Sequence, residues 1–265
     1  MKVHEDGYAL ILVFVMLTIF ALLFPAILRL SITEFVIAKN LQEGVKDYYL
    51  IEGVVDLGTN EIHDELEDLI IDKGYISAED LQSLNKEESL EIFDNNHNLI
   101  IKYKILEIVD ESSKININTA SREMLKSLNG VGDTIADDII AKREFNTVEE
   151  LSQVSGIGEI DSETYNQIKG DITVRSDGRI NINTASILVL ESLSGIGDTL
   201  AENIKVARPF ANKEDINGVD GIGEVIYSNL EDKIKVTSHS FKVILEISVE
   251  DKGIKRKITR FIELE

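Results

Sequence analysis

Residues 115–136 read ININTASREMLKSLNGVGDTIA, and residues 180–201 read ININTASILVLESLSGIGDTLA. The first seven letters are the same in both. The agreement goes on as FNTVEELSQVSGIGEI at 145–160 against FANKEDINGVDGIGEV at 210–225. The offset is 65 residues (180 − 115) across this whole span. Agreement held at one offset over such a length marks an internal duplication, in which one supersecondary unit is used twice.

Each copy holds two Gly-x-Gly turns, Gly130/Gly132 and Gly156/Gly158 in the first, Gly195/Gly197 and Gly221/Gly223 in the second. Glycine reaches backbone angles that side chains resist, so these pairs are expected to turn the chain sharply between helices. The enclosed residues, Val131, Ile157, Ile196 and Ile222, are apolar and are expected to plug the core between those helices. Asn118-Thr119-Ala120-Ser121, repeated at 183–186, offers capping side chains ahead of a helix. The pattern NTA…LxGIG…A resembles the helix-hairpin-helix family, over residues 115–237, with one repeat at 115–175 and the other at 176–237.

That resemblance implies a way of holding DNA without reading its sequence, with hairpin amides and a helix N-terminus facing a phosphate. The charges oppose it. Asp133, Glu159, Asp198 and Glu224 follow the four hairpins and are expected to cap the next helix and repel phosphate. Residues 115–237 hold 12 Lys and Arg against 21 Asp and Glu, the reverse of a DNA-binding footprint. The hairpin glycines are therefore read as structural first, with phosphate contact second, and DNA is not the expected partner.

Upstream, Tyr8–Leu28 reads YALILVFVMLTIFALLFPAIL, without a charge until Arg29. A bilayer core takes about 20 apolar residues in a helix. A core helix of this length would keep a polar stripe. A cleaved secretory signal would have an apolar run of about 7–15 residues and an A-x-A-like site after it. Residues 8–28 have neither feature and read as a transmembrane helix. Lys2, Glu5 and Asp6 say little about orientation. Phe35, Val36, Leu41, Val45, Tyr48, Tyr49, Ile51, Val54 and Val55 continue at helical spacing, so 29–58 reads as the exposed half of the same helix, with a kink at Pro25.

Residues 59–114 read as further short helices, extending to about residue 97, and a first strand. Ser77 with Glu79 and Asp80 marks a helix start, Asp94–Asn98 a turn, and Leu99–Val109 a strand. Residues 238–265 read as a β-hairpin, Ser238–Glu250 and Ile254–Leu264 joined at Asp251-Lys252-Gly253. The expected class is α+β. A long N-terminal helix, transmembrane then amphipathic, packs on a small antiparallel sheet of at least three strands. The helix-hairpin-helix repeats are inserted between the first strand and the final hairpin.

A leader ending in Gly7, a long apolar helix and a small antiparallel sheet together resemble the type IV pilin-like proteins. The resemblance implies a prepilin-type leader at 1–7, cut by prepilin peptidase between Gly7 and Tyr8. Most such proteins carry a glutamate at the fifth residue after the cut; here it is Leu12. Lack of that glutamate and a helical insertion in the sheet are similar to the K-type minor pseudopilins of type II secretion (general secretion pathway protein K). NLQEGVKDYYLIEGVVDLG at 40–58 and VDESSKININTA at 109–120 also look like that family. Two features depart from it: Asp6 stands where the leader is usually basic, and the four hairpins are unusually regular.

What the resemblance implies is mechanical: a non-enzymatic tip subunit of the type II secretion pseudopilus, acting in protein export. Leu12 needs no partner charge from a subunit above it, which suits a capping position, since an unpaired carboxylate in lipid costs a few kcal/mol. The implied partners are other minor pseudopilins and the secretion machinery. The implied place is the inner membrane, crossed once, with the C-terminal bulk on its outer side. Two other roles stay open: a membrane-anchored helix-hairpin-helix DNA receptor of competence type, and a minor pilin of a type IV pilus. Some pseudopilins bind calcium; Asp110-Glu111 and Asp251 lie in acidic loops, but without ordered ligand spacing. No cofactor and no metal ligand is therefore assigned.

Composition narrows the chemistry. The chain has a net charge of −21 and no cysteine, which removes disulfides and thiol catalysis. His4, His63, His97 and His239 show no metal spacing, and no nucleophile elbow or P-loop is present. An enzyme is not expected.

Overall fold

The structure is a computed structural model that describes residues 5–94, 97–160 and 162–265. Residues 1–4 of the expected leader and the Asn95-Asn96 tip of the expected turn lie outside the described residues. Helix α1 spans Glu5–Lys73 and passes through Pro25. The chain divides into two units, Met1–Gly53 and Val54–Glu265, with the boundary inside α1.

In the first unit every side chain from Tyr8 to Lys46 is exposed, including the whole uncharged run Tyr8–Leu28. This helix is long and apolar enough to cross a membrane.

In the second unit α1 lays one face on a sheet. Val54, Val55, Ile62 and Leu66 are buried, and residues 55, 62 and 66 recur at the spacing of a single helical face. Gly58 shares that face. A β-carbon there would stand 3.0 Å from the Tyr103 ring and 3.2 Å from Leu245, so glycine permits the close approach. The Tyr103 hydroxyl donates to Glu61. Lys86 bridges Glu61 at 2.6 Å and Glu65 at 2.8 Å. Residues 59–73 thus continue α1 and do not form separate helices, because the sheet buries Ile62 and Leu66. The helix ends where Gly74 takes φ +77 and its N–H bonds the Ile70 carbonyl at 2.9 Å.

Helix α2 (Ala78–Ser83) starts at Ser77, as the sequence indicates, in a capping box with Asp80. Strands β1 (Glu87–Asp94) and β2 (His97–Asp110) follow. β1 corrects the reading of residues up to 97 as helical. Glutamate-rich composition hides the alternation of Leu90 and Ile92, which pair with Ile101 and Leu99 of β2. The first repeat contains β3 (Ile115–Asn116), α3 (Arg122–Lys126), α4 (Asp133–Ala141), α5 (Glu163–Ile168) and β4 (Ile172–Thr173). The second contains β5 (Ile180–Asn181), α6 (Ile187–Glu191), α7 (Asp198–Ala207), α8 (Glu224–Leu230) and β6 (Ile234–Lys235). Strands β7 (Ser240–Val249) and β8 (Ile254–Glu263) close the chain, joined through Gly253 in the left-handed conformation.

The main sheet has the order β1-β2-β7-β8, antiparallel throughout. A bulge at Leu106 shifts the β2–β7 register. It changes the phase of β2, so that Ile101, Tyr103 and Ile105 before it and Ile108 after it are all buried. The repeats are inserted between β2 and β7, and the fold is α+β. Each repeat is closed by a short parallel pair, β3 with β4 and β5 with β6. The start and end of each repeat therefore meet, and the apolar residues of the two repeats together form one buried cluster.

Candidate functional site

The hairpins are built alike at their first glycine and differently at their second. Gly130, Gly156, Gly195 and Gly221 take φ of +79, +91, +88 and +89, which side chains resist. Gly132, Gly197 and Gly223 have extended backbone and act as N-caps of α4, α7 and α8, with no side-chain cap. Left-handed geometry is thus needed at the second glycine only in Gly158, at φ +83. Val131, Ile157, Ile196 and Ile222 are all buried.

The offset of 65 does not persist to the end of the repeat. Ile115 pairs with Ile172 while Ile180 pairs with Ile234, so the offset falls to 62 (234 − 172). The second hairpin of the first repeat carries three extra residues (65 − 62). There Ser162, not Glu159, caps the following helix α5.

The acidic residues after the hairpins also sit differently from expectation. Asp133, Asp198 and Glu224 occupy the first helical position and do not cap; they lie where the helix dipole favours negative charge. Asp133 pairs with Arg122 at 2.7 Å and with Lys126 at 2.7 Å, and these two cations hold its carboxyl below the usual carboxylate range. Arg122 is taken up further by Asp137 at 2.6 Å. The two cations that reach the N-terminus of α4 are thus bound by carboxylates.

Around the hairpins the two repeats reproduce one set of hydrogen bonds. Ser121 and Ser186 accept from Met124 and Val189 N–H and cap α3 and α6. The Asn118 amide donates to the Phe145 carbonyl at 2.9 Å and accepts from the Phe145 N–H at 3.0 Å. Asn183 does the same with Phe210, at 2.9 and 2.8 Å. Arg143 donates to Ile117 and Ala120 carbonyls, and Arg208 to those of Ile182 and Ala185. Burial pushes the Arg208 guanidinium down to about 10. The "INT" letters thus serve as ties between the start of each repeat and the loop before its second hairpin.

One carboxylate joins the second repeat to the sheet. Asp110, at the end of β2, is 1% exposed. It accepts from the Ser112 N–H at 2.7 Å, Asn181 Nδ2 at 2.8 Å, the Thr184 hydroxyl at 2.6 Å and the Ser238 hydroxyl. Burial pushes its carboxyl up, and these four donors pull against that. Next to it, buried Glu111 pairs with Lys114 at 3.0 Å and accepts from the Thr173 hydroxyl of the first repeat. The acidic pair noted for calcium is therefore occupied by protein donors. Ser112 and Lys114 are local, but Thr173, Asn181, Thr184 and Ser238 lie 62 to 128 residues away in the chain, and sequence alone gave no sign of them. Among the described residues no group of three His or carboxylate side chains is placed to hold a metal ion. Gly7, Tyr8 and Leu12 fall in the first turns of α1, with Tyr8 and Leu12 exposed.

Comparison with known proteins supports this architecture. The family model of the helix-hairpin-helix motif matches residues 110–173 and 175–235. The human endonuclease/exonuclease/phosphatase family domain-containing protein 1 is 30% identical over 166 residues, covering 48% of this chain and 29% of its own. ComE operon protein 1 of Bacillus subtilis is 46% identical over 65 residues, covering 23% of this chain and 30% of its own. The chain thus spans under a third of the length of the curated relatives it matches. A solved structure, the GspK-GspI-GspJ complex of the enterotoxigenic Escherichia coli type 2 secretion system, contains a chain matched at TM-score 0.61 and 14% identity. The match covers 86% of this chain and 94% of that one. The protein carries two tandem helix-hairpin-helix motifs on the fold of GspK.

Proposed function

We propose that the protein is a non-enzymatic minor pseudopilin, anchored in the inner membrane by residues 8–28, at the tip of a type II secretion pseudopilus. The observation that carries this reading is the likeness of fold to GspK over 86% of this chain and 94% of that one. That protein was solved with GspI and GspJ, so the partners proposed here are other minor pseudopilins. Residues 1–7 would be the leader, and cleavage after Gly7 would leave Tyr8 as the new N-terminus. The exposed apolar run Tyr8–Leu28 would sit in lipid, with the bulk from residue 54 onward on the outer side. Leu12 would let the subunit cap a stack without a partner charge above it.

The test is co-expression with a prepilin peptidase, read by intact mass. Loss of the seven leader residues is expected. An uncut chain would count against the pseudopilin reading and leave only the likeness of fold behind it.

A second reading, a membrane-anchored DNA receptor of competence type, draws on the 46% identity with ComE operon protein 1. The acidic first turns of α4, α7 and α8 argue against it. DNA affinity that falls steeply with salt would favour that reading instead. The enzyme name of the other relatives is not carried over, since the match covers 29% of their length.

A further inference from the structure

The first repeat and the outer face of the sheet enclose a cleft of about 580 Å3. Its walls include Lys114, Lys169, Arg175 and Lys242 against Glu111 and Glu149. The lining therefore carries two more cations than anions (4 − 2), in a chain whose net charge is −21. A cationic recess on so acidic a protein is a local reversal of sign, and such recesses concentrate anions.

The cations are not equally satisfied. Lys114 is held by Glu111 at 3.0 Å. Arg175 stacks on the Phe261 ring at 3.9 Å from its centre and reaches Glu263 only at 3.9 Å. Lys242 makes no ion pair within 4 Å among the described residues. It projects from β7 on the face opposite the buried Phe241 and Val243. Glu107 and Glu111 attract it from a distance, but burial and the like charge of Lys114 push its ammonium the other way. A half-buried ammonium beside another gains from an anion placed between them. Val148, Val174 and Phe261 supply apolar wall beside the charges. The volume falls within the ordinary range of ligand sites, roughly 300–1,000 Å3.

We propose that this cleft is a binding site for a peptide carboxylate, with Lys242 as its anion-holding group and Val148, Val174 and Phe261 against the neighbouring apolar side chain. The apolar wall favours a peptide over a free inorganic anion. Neither the membrane helix nor the hairpin glycines line the site, and it does not depend on the pseudopilin reading: it stands or falls whether or not the leader is cut.

The test uses the full chain in detergent micelles and three blocked tripeptides. Acetyl-Leu-Glu-Leu-amide carries a side-chain carboxylate, acetyl-Leu-Gln-Leu a terminal one, and acetyl-Leu-Gln-Leu-amide none. At least one carboxylate peptide is expected to bind ten-fold or more tightly than the neutral one, and which of the two does so identifies the source of the carboxylate. Lys242→Gln is expected to weaken that binding at least ten-fold, and Lys169→Gln about three-fold. Lys205→Gln, on α7 and outside the lining, should leave it unchanged. Thermal melts of each variant separate loss of the site from loss of the fold. Equal binding of the neutral peptide, no binding at millimolar concentration, full retention by Lys242→Gln in a folded protein, or displacement by equimolar inorganic phosphate would each overturn the proposal.

Discussion

Glycines that look interchangeable in the repeat do different work. Gly156 has φ +91, and a β-carbon there would meet Ile135 at 2.9 Å. Gly132 is extended, and a β-carbon there meets nothing within 4 Å. Gly156→Ala is expected to cost about 2–4 kcal/mol, from left-handed strain and overpacking together. Gly132→Ser should be neutral or stabilise by a few tenths of a kcal/mol, because it supplies the missing N-cap oxygen. Urea unfolding of both variants checks this; equal losses would mean that the two glycines play one role. The Gly-x-Gly letters announce a turn, but only the backbone angles tell which glycine the turn requires.

At the scale of elements, α1 and α2 carry the clearest expectations. Gly58 brings α1 onto Tyr103 and Leu245, so Gly58→Leu forces the helix off the sheet and is expected to cost about 1–3 kcal/mol. A drop in the urea midpoint reads this out, and an unchanged midpoint would mean that the helix and sheet are less closely packed. Asp80 ties the start of α2 to Lys73, the last residue of α1. Burial pushes the Asp80 carboxyl up, but donors from Lys73 and Ser77 outweigh it and hold it below its ordinary value. A carboxylate depressed in the folded state adds stability that is present above the unfolded value, about 3.9, and is lost as pH falls through the folded value. Asp80→Asn should therefore cost about 1–2 kcal/mol at pH 7. The gap from the parent should close below pH 4. A gap that persists at pH 2 would show that the carboxylate's charge is not what matters.

For the molecule as a whole, Asp110 is the point where sheet, second repeat and the lead into β7 are tied together. Asp110→Ala takes the acceptor from four donors, of which Asn181 and Thr184 keep only long bonds of 3.4 and 3.5 Å to carbonyls, and is expected to cost about 3–5 kcal/mol. Hydrogen exchange should show the loss spreading to β5 and β7 together and not staying at one turn. Protection lost at β2 alone would mean that Asp110 is only a local cap for the turn after it.

The duplication, the apolar run, the buried plugs, the start of α2 and the C-terminal hairpin were all written in the sequence by itself. Each rests on local information: a period, a cap, a turn residue, an uninterrupted apolar stretch. The α+β class follows from their order. Tertiary structure alone decided that α1 runs on to Lys73, since a helix continued by Ile62 and Leu66 needs the sheet to bury them. It also decided that residues 87–94 are a strand, because pairing with β2 overrides glutamate-rich composition. It decided that each repeat is closed by a parallel pair, offset by 62 at its closing strand, and that Asp110 and Glu111 face protein donors. These features join residues far apart in the chain, and neither periodicity nor propensity carries information across such a gap.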